Sequence, residues 1–171
     1  MKATLLQAAV ILTLTSTVLH AQLKDIEIKA SRTKLDQQRE RAGNKTITSK
    51  EIAYDITIQN KTFKTLPEIV VKYAIYYTDS NPGSNEKPPE LCQRGKETIS
   101  NLEAHRSTNF ETKPFKLSTA ELDPGWYYTS GAGNRSKDAV TGVWIKAFVN
   151  GEEIAEYANP STISKKKDWK E

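Results

Sequence analysis

Near the end of the chain, Val140-Thr141-Gly142-Val143-Trp144-Ile145-Lys146-Ala147-Phe148-Val149 meets Asn150-Gly151 and returns as Glu152-Glu153-Ile154-Ala155-Glu156-Tyr157. Asn-Gly accepts the two positive φ angles of a type I′ turn, whose twist matches that of the flanking strands. The residues on both sides are rich in β-branched and aromatic types, so the segment reads as a β-hairpin. A two-residue loop puts Val149 opposite Glu152, Ala147 opposite Ile154 and Trp144 opposite Tyr157, an aromatic cross-strand pair that buries part of the core.

Strand periodicity runs through much of the remainder. Ile26, Ile28 and Ala30 alternate with Asp25, Glu27 and Lys29, which predicts a half-buried first strand. Periodicity is lost from Lys34 to Lys50, a stretch of Gln, Arg, Glu, Gly and Asn that reads as a long mobile connection. It resumes with Ile52, Tyr54, Ile56 and Ile58. A third strand covers Glu68–Thr78, with Ile69, Val71, Tyr73, Ile75 and Tyr77 on one face and Val70, Ala74 and Tyr76 on the other, a pattern suited to a central position. Residues 79–89 are turn chemistry throughout. Leu91–Ile99 and Ser107–Leu117 are weaker strand candidates, joined through an expected buried Leu102. A helical turn is allowed at Ser118–Leu122, and residues 130–138 form a glycine-rich loop. About seven short strands without alternating helices predict an all-β, immunoglobulin-like antiparallel β-sandwich in one domain.

Lys2 followed by an uncharged apolar run ending in His20-Ala21 reads as a secretory signal peptide over residues 1–21. The sandwich is expected over 22–160, with a basic, solvated tail over 161–171 containing Lys165-Lys166-Lys167. Only Lys2 of the 25 Lys and Arg falls in the leader, which leaves a slight basic excess over 21 acids. There is no Arg–aromatic stripe of the kind that binds nucleic acid. No transmembrane segment is expected once the leader is removed, so the product is expected to be secreted, periplasmic or at the cell surface. The single cysteine, Cys92, cannot form an internal disulfide and reads as a small buried apolar residue, with an intermolecular bridge or a reactive thiol as the alternatives.

The run Ile52-Ala53-Tyr54-Asp55-Ile56-Thr57-Ile58-Gln59-Asn60-Lys61-Thr62-Phe63-Lys64-Thr65-Leu66-Pro67-Glu68, with Gly142-Val143-Trp144 and Glu156-Tyr157-Ala158-Asn159-Pro160, resembles small exported proteins of planctomycete and verrucomicrobial bacteria. That resemblance implies an immunoglobulin-like fold, export, and a role beside surface structures such as type IV pili. It supplies no catalytic residue.

Chemistry-bearing groups are sparse. His105 is the one histidine outside the leader, which excludes zinc sites built on several imidazoles. Glu152 and Glu153 are adjacent on a strand and point to opposite faces, unlike a glycosidase pair. Gly131-Ala132-Gly133 is followed by no helix and makes no phosphate loop. No catalytic residue, cofactor site or metal site is expected. Two binding sites are. One is an aromatic platform for sugars at Trp126, Tyr127 and Tyr128 with Asn134 and Arg135 beside it, although these rings also suit the open end of the core. The other is the first strand at Ile26 and Ile28, which a mobile connection would free to exchange or pair with a partner strand. The expected role is a non-catalytic exported binding or structural domain of a bacterial surface or pilus-associated assembly, whose partner is another surface or extracellular protein. A carbohydrate-binding module is the alternative.

Overall fold

A computed structural model describes residues 25–169; the expected leader lies outside the described residues. Within them the chain forms nine strands: β1 (Ile26–Ala42), β2 (Lys45–Asn60), β3 (Leu66–Thr78), β4 (Glu90–Leu102), β5 (Ser107–Glu111), β6 (Phe115–Leu122), β7 (Arg135–Lys137), β8 (Val140–Val149) and β9 (Glu152–Asn159), followed by a short helix α1 (Ile163–Lys166). One sheet has the order β1-β2-β6-β7, with β5 also on β2; the other is β4-β3-β8-β9. All pairs are antiparallel. The chain crosses between sheets after β2, β4 and β7, which gives an immunoglobulin-like sandwich.

The core follows the alternation. Ile52, Tyr54, Ile56 and Ile58 of β2 face Ile69, Val71, Tyr73 and Ile75 of β3 and Val143, Ile145 and Ala147 of β8. Aromatic contacts cross the gap: Tyr77 stacks on Phe115 at 5.0 Å, and Tyr73 lies 6.4 Å from Phe110. Leu102 is buried, as expected. Pro114 cannot donate to a ladder, and the expected strand from Ser107 divides there into β5 and β6. Where β2 changes partner, buried Thr112 completes the ladder: Tyr54 N–H donates to Thr112 Oγ1 and Thr112 N–H to the Tyr54 carbonyl, both at 2.9 Å.

Several expectations are corrected. Residues 34–50 are no mobile connection but the far half of a long hairpin, in which Gly43 (φ 63°) and Asn44 join Ala42 to Lys45. Its β1 side chains are exposed, so no apolar period marks the strand. The C-terminal hairpin turns at Asn150 (φ 52°) and Gly151 (φ 84°), as a type I′ turn requires. Ile154, however, is an extra residue on β9, a β-bulge that puts Ala147 opposite Ala155 and Trp144 opposite Ala158. Tyr157 therefore pairs with Ile145 and packs on the core, while Trp144 lies on the outer face of the sheet. Ser118–Leu122 is strand rather than helix, because β2 pairs with it from Lys45 to Ser49. The glycine-rich loop gives up Arg135–Lys137 to β7.

Two polar side chains fasten the sheets together. Asn60 is 0% exposed, and its Nδ2 donates to the carbonyls of Lys64 (2.8 Å), Leu102 (3.0 Å) and Glu103 (3.0 Å), while Oδ1 accepts from the Thr62 N–H (2.9 Å) and Oγ1 (2.7 Å). Toward the other end, the Asp138 carboxylate accepts from Ser80 N–H (2.6 Å) and Ser118 N–H (2.7 Å). Asn60→Ala strands those carbonyls in a buried site, and urea melts are expected to show a loss of about 2–4 kcal/mol. An unshifted midpoint would mean that Asn60 carries none of the junction.

Candidate functional site

The loop between β6 and β7 carries the expected aromatic platform, and the structure separates its members. Trp126 and Tyr127 project into solvent, 55% and 77% exposed. Tyr128 turns inward over Gly83, where even a Cβ would come within 2.8 Å of the ring. Ser130 Oγ donates to the Gly83 carbonyl (2.6 Å), and Asn85 Nδ2 donates to the Ser130 carbonyl (2.8 Å). Tyr128 is thus a brace that ties this loop to residues 79–89, and two rings remain for contact. Asn134 is exposed and its carbonyl accepts from Leu122 N–H (2.9 Å); exposed Arg135 opens β7 opposite Glu121.

Ile26 and Ile28 are placed differently from the expectation. Ile26 is 1% exposed, and both residues belong to the core. They pair with Asn60 and Ile58, and the segment is held further by Lys61 N–H on the Asp25 carbonyl (2.8 Å) and Lys61 on Glu27 (2.7 Å). β1 is nevertheless an edge strand, so its outward backbone groups are open to an added strand while its own pairing with β2 remains.

The segment after β9 was expected to be a solvated tail. Its described part, up to residue 169, straps the outer face of the β3–β8–β9 sheet. Ile163 is buried in the space that Gly142 leaves, and with Ala74, Tyr76 and Trp144 it forms a second small core. Trp169 packs edge-on against Trp144 at 4.9 Å. Trp144 Nε1 donates to Glu156 (2.6 Å), and Lys146, paired with Glu153 at 2.7 Å, lies over both indoles. Lys167 pairs with Glu90 and sits 5.4 Å above the Tyr76 ring. No signal announced this strap beyond two apolar residues, Ile163 and Trp169, among lysines.

Cys92, expected to be buried, is exposed on β4, opposite Tyr76. β4 is an edge strand, and its outer face has no layer to bury it. Partial desolvation raises the thiol pKa, which keeps it protonated at neutral pH. Asp123 pairs with Arg41 (2.6 Å) and Asp138 with backbone amides, and among the described residues no group of three or more His, Cys, Asp or Glu gathers. No helix among them is long and apolar enough to cross a membrane.

No protein-family model and no curated protein matches the chain. Several solved structures are similar to it, among them these three. A structural-genomics target shares 12% identity over 79% of this chain and 86% of its own, with a TM-score of 0.38. A protein from Bordetella pertussis given the name ApaA shares 12% over 78% and 91%, with a TM-score of 0.36. A protein from Akkermansia muciniphila, a verrucomicrobial species, shares 14% over 85% and 78%, with a TM-score of 0.30. Similarity at this level carries no information on membership of a family or on function.

The strap makes a pH prediction. The hydrogen bond from Lys167 holds the Glu90 carboxyl below the usual glutamate range, and the same contact raises the Lys167 ammonium. The tether is complete between the ordinary titrations of the two groups, about pH 4.3 and 10.4. It is lost as pH falls through the lowered Glu90 value or rises through the raised Lys167 value. Emission from Trp144 and Trp169 is expected to change on acidification, and Glu90→Gln should already show the acid form at neutral pH. If Glu90→Gln leaves the acid transition intact, the tether is not its cause.

Proposed function

We propose that this chain is a non-catalytic exported binding domain of a bacterial surface assembly, pilus-associated structures included, that engages a surface or extracellular protein through the loop end of its sandwich. One observation carries the reading: Trp126 and Tyr127 stand in solvent on a loop whose base is fastened by Tyr128, Ser130 and Asn85. Exposed large rings held on a braced support are the usual anchors of a binding surface, since little conformational freedom is left to lose on contact. The open edges of β1 and β4 add backbone donors and acceptors for a partner strand.

A second reading rests on the same rings. Two exposed aromatics on one loop also suit the stacking of sugar rings, which makes glycan the competing ligand. Cross-linking in cell envelopes is expected to recover a protein partner with the wild-type chain and to lose it with Trp126→Ala/Tyr127→Ala at unchanged melting temperature. A glycan array bound by wild type and blank for the variant selects the second reading. A variant that keeps every partner rejects the loop end as the binding site.

A further inference from the structure

The sandwich is built from sheets of unequal reach. From Gln37 to Arg41, β1 pairs with Lys50 to Thr46 of β2, which pair in turn with Leu117 to Glu121 of β6; Thr119 and Glu121 pair with Lys137 and Arg135 of β7. Directly opposed residues in an antiparallel sheet project from the same face. One row is therefore Arg39, Thr48, Thr119 and Lys137. The next is Arg41, Thr46, Glu121 and Arg135. Both lie on the face that carries Ile52, Phe115 and Leu117 into the core, since Lys50 pairs with Leu117 two residues before Ile52 meets Phe115.

Here, however, the opposite sheet no longer covers it. The side chains of Arg39, Arg41, Lys50, Glu121, Arg135 and Lys137 are exposed and the three threonines half-buried. A cleft of about 210 Å³ opens on this face between Arg39, Thr46, Thr48, Thr119, Glu121 and Asp123. Arg41 is neutralised by Asp123. Arg39, Lys50, Arg135 and Lys137 have no side-chain partner among the described residues.

We propose that this open face binds an anionic polysaccharide, a sugar chain carrying carboxylates or sulfates. The proposal rests on the second of the two readings above, a binding domain with glycan as ligand, and it names the class and a second surface. The guanidinium forks of Arg39 on β1 and Arg135 on β7, at the two edges of this four-strand face, each match the planar, bidentate geometry of carboxylate and sulfate oxygens, so a chain of several sugars is needed to span them. Threonine hydroxyls between them donate to and accept from sugar hydroxyls. Pro124, beside Asp123, lines the same cleft, and Trp126 follows two residues later, its N–H turning back to the Asp123 carbonyl at 3.1 Å. An exposed ring thus follows directly on the wall of the basic strip, where a sugar leaving it can stack.

Alginate (carboxylate) and dextran sulfate serve as probes, with neutral dextran, poly-glutamate and single-stranded oligothymidine as comparisons, in binding titrations at two salt concentrations. One or both anionic polysaccharides should bind, more weakly at high salt, and which one does identifies the anionic group. Arg39→Gln/Arg135→Gln should lose about tenfold or more in affinity at an unchanged melting temperature. Lys64→Gln/Lys96→Gln, which removes the same charge from exposed positions elsewhere, should bind as wild type does. Equal loss in both double variants, equal affinity for neutral dextran, or tighter binding of poly-glutamate or oligothymidine would overturn the proposal. If Trp126-dependent glycan binding survives Arg39→Gln/Arg135→Gln undiminished, the open face is rejected and the loop-end reading stands.

Discussion

A single buried carboxamide sets how the two sheets superpose. Asn60 ends β2, and its Nδ2 holds carbonyls from the turn before β3 and from the end of β4 and the residue after it. An amide that donates to three carbonyls and accepts twice leaves its neighbourhood little freedom, since moving one strand end breaks bonds to the others around a fully buried side chain. With that end fixed, strand length decides the rest. β2 runs back 16 residues and β3 only 13, so the first sheet outreaches the second at the end where Asp138 fastens Ser80 to Ser118. The exposed basic face and the braced aromatic loop are both found beyond that second fastening.

How much of this was legible in the sequence depends on where burial writes a pattern. β2 and β3 each have a buried face, and Ile52, Tyr54, Ile56, Ile58 and Ile69, Val71, Tyr73, Ile75 spell it out at period two. The half of β1 beyond Lys34 is exposed and is held by backbone pairing and the Arg41–Asp123 ion pair, with no buried apolar side chain, so hydropathy carries no period there. Its period lies in charge: Asp36, Gln38 and Glu40 on one face, Gln37, Arg39 and Arg41 on the other. The hairpin turn was legible because Asn150-Gly151 is a local signal. The bulge at Ile154 was not, because one extra residue is decided by packing on both sides of the strand.

The candidate site was legible in part for the same reason. Composition and turn context mark Trp126, Tyr127 and Tyr128 as aromatics near a loop, and nothing local tells which ring is needed for support. Gly83, distant in sequence, settles that by leaving room for Tyr128. Ile26 and Ile28 read correctly as a strand, but their freedom to exchange depended on a loose connection that is in fact paired backbone. The strap across Trp144 turns on one glycine, Gly142, whose missing side chain makes the seat for Ile163.

The sorting of charge on the long hairpin also bears on how the molecule meets its surroundings. With Arg39, Arg41 and Lys50 on one side and Asp36, Glu40 and Glu51, offset in part by Lys45, on the other, the ribbon carries a dipole across its thickness, not along its length. Near a negatively charged layer such a blade experiences a torque that turns its basic side inward before any contact is made, within a Debye length of about 8–10 Å at moderate salt. The acidic back is left facing away from the layer.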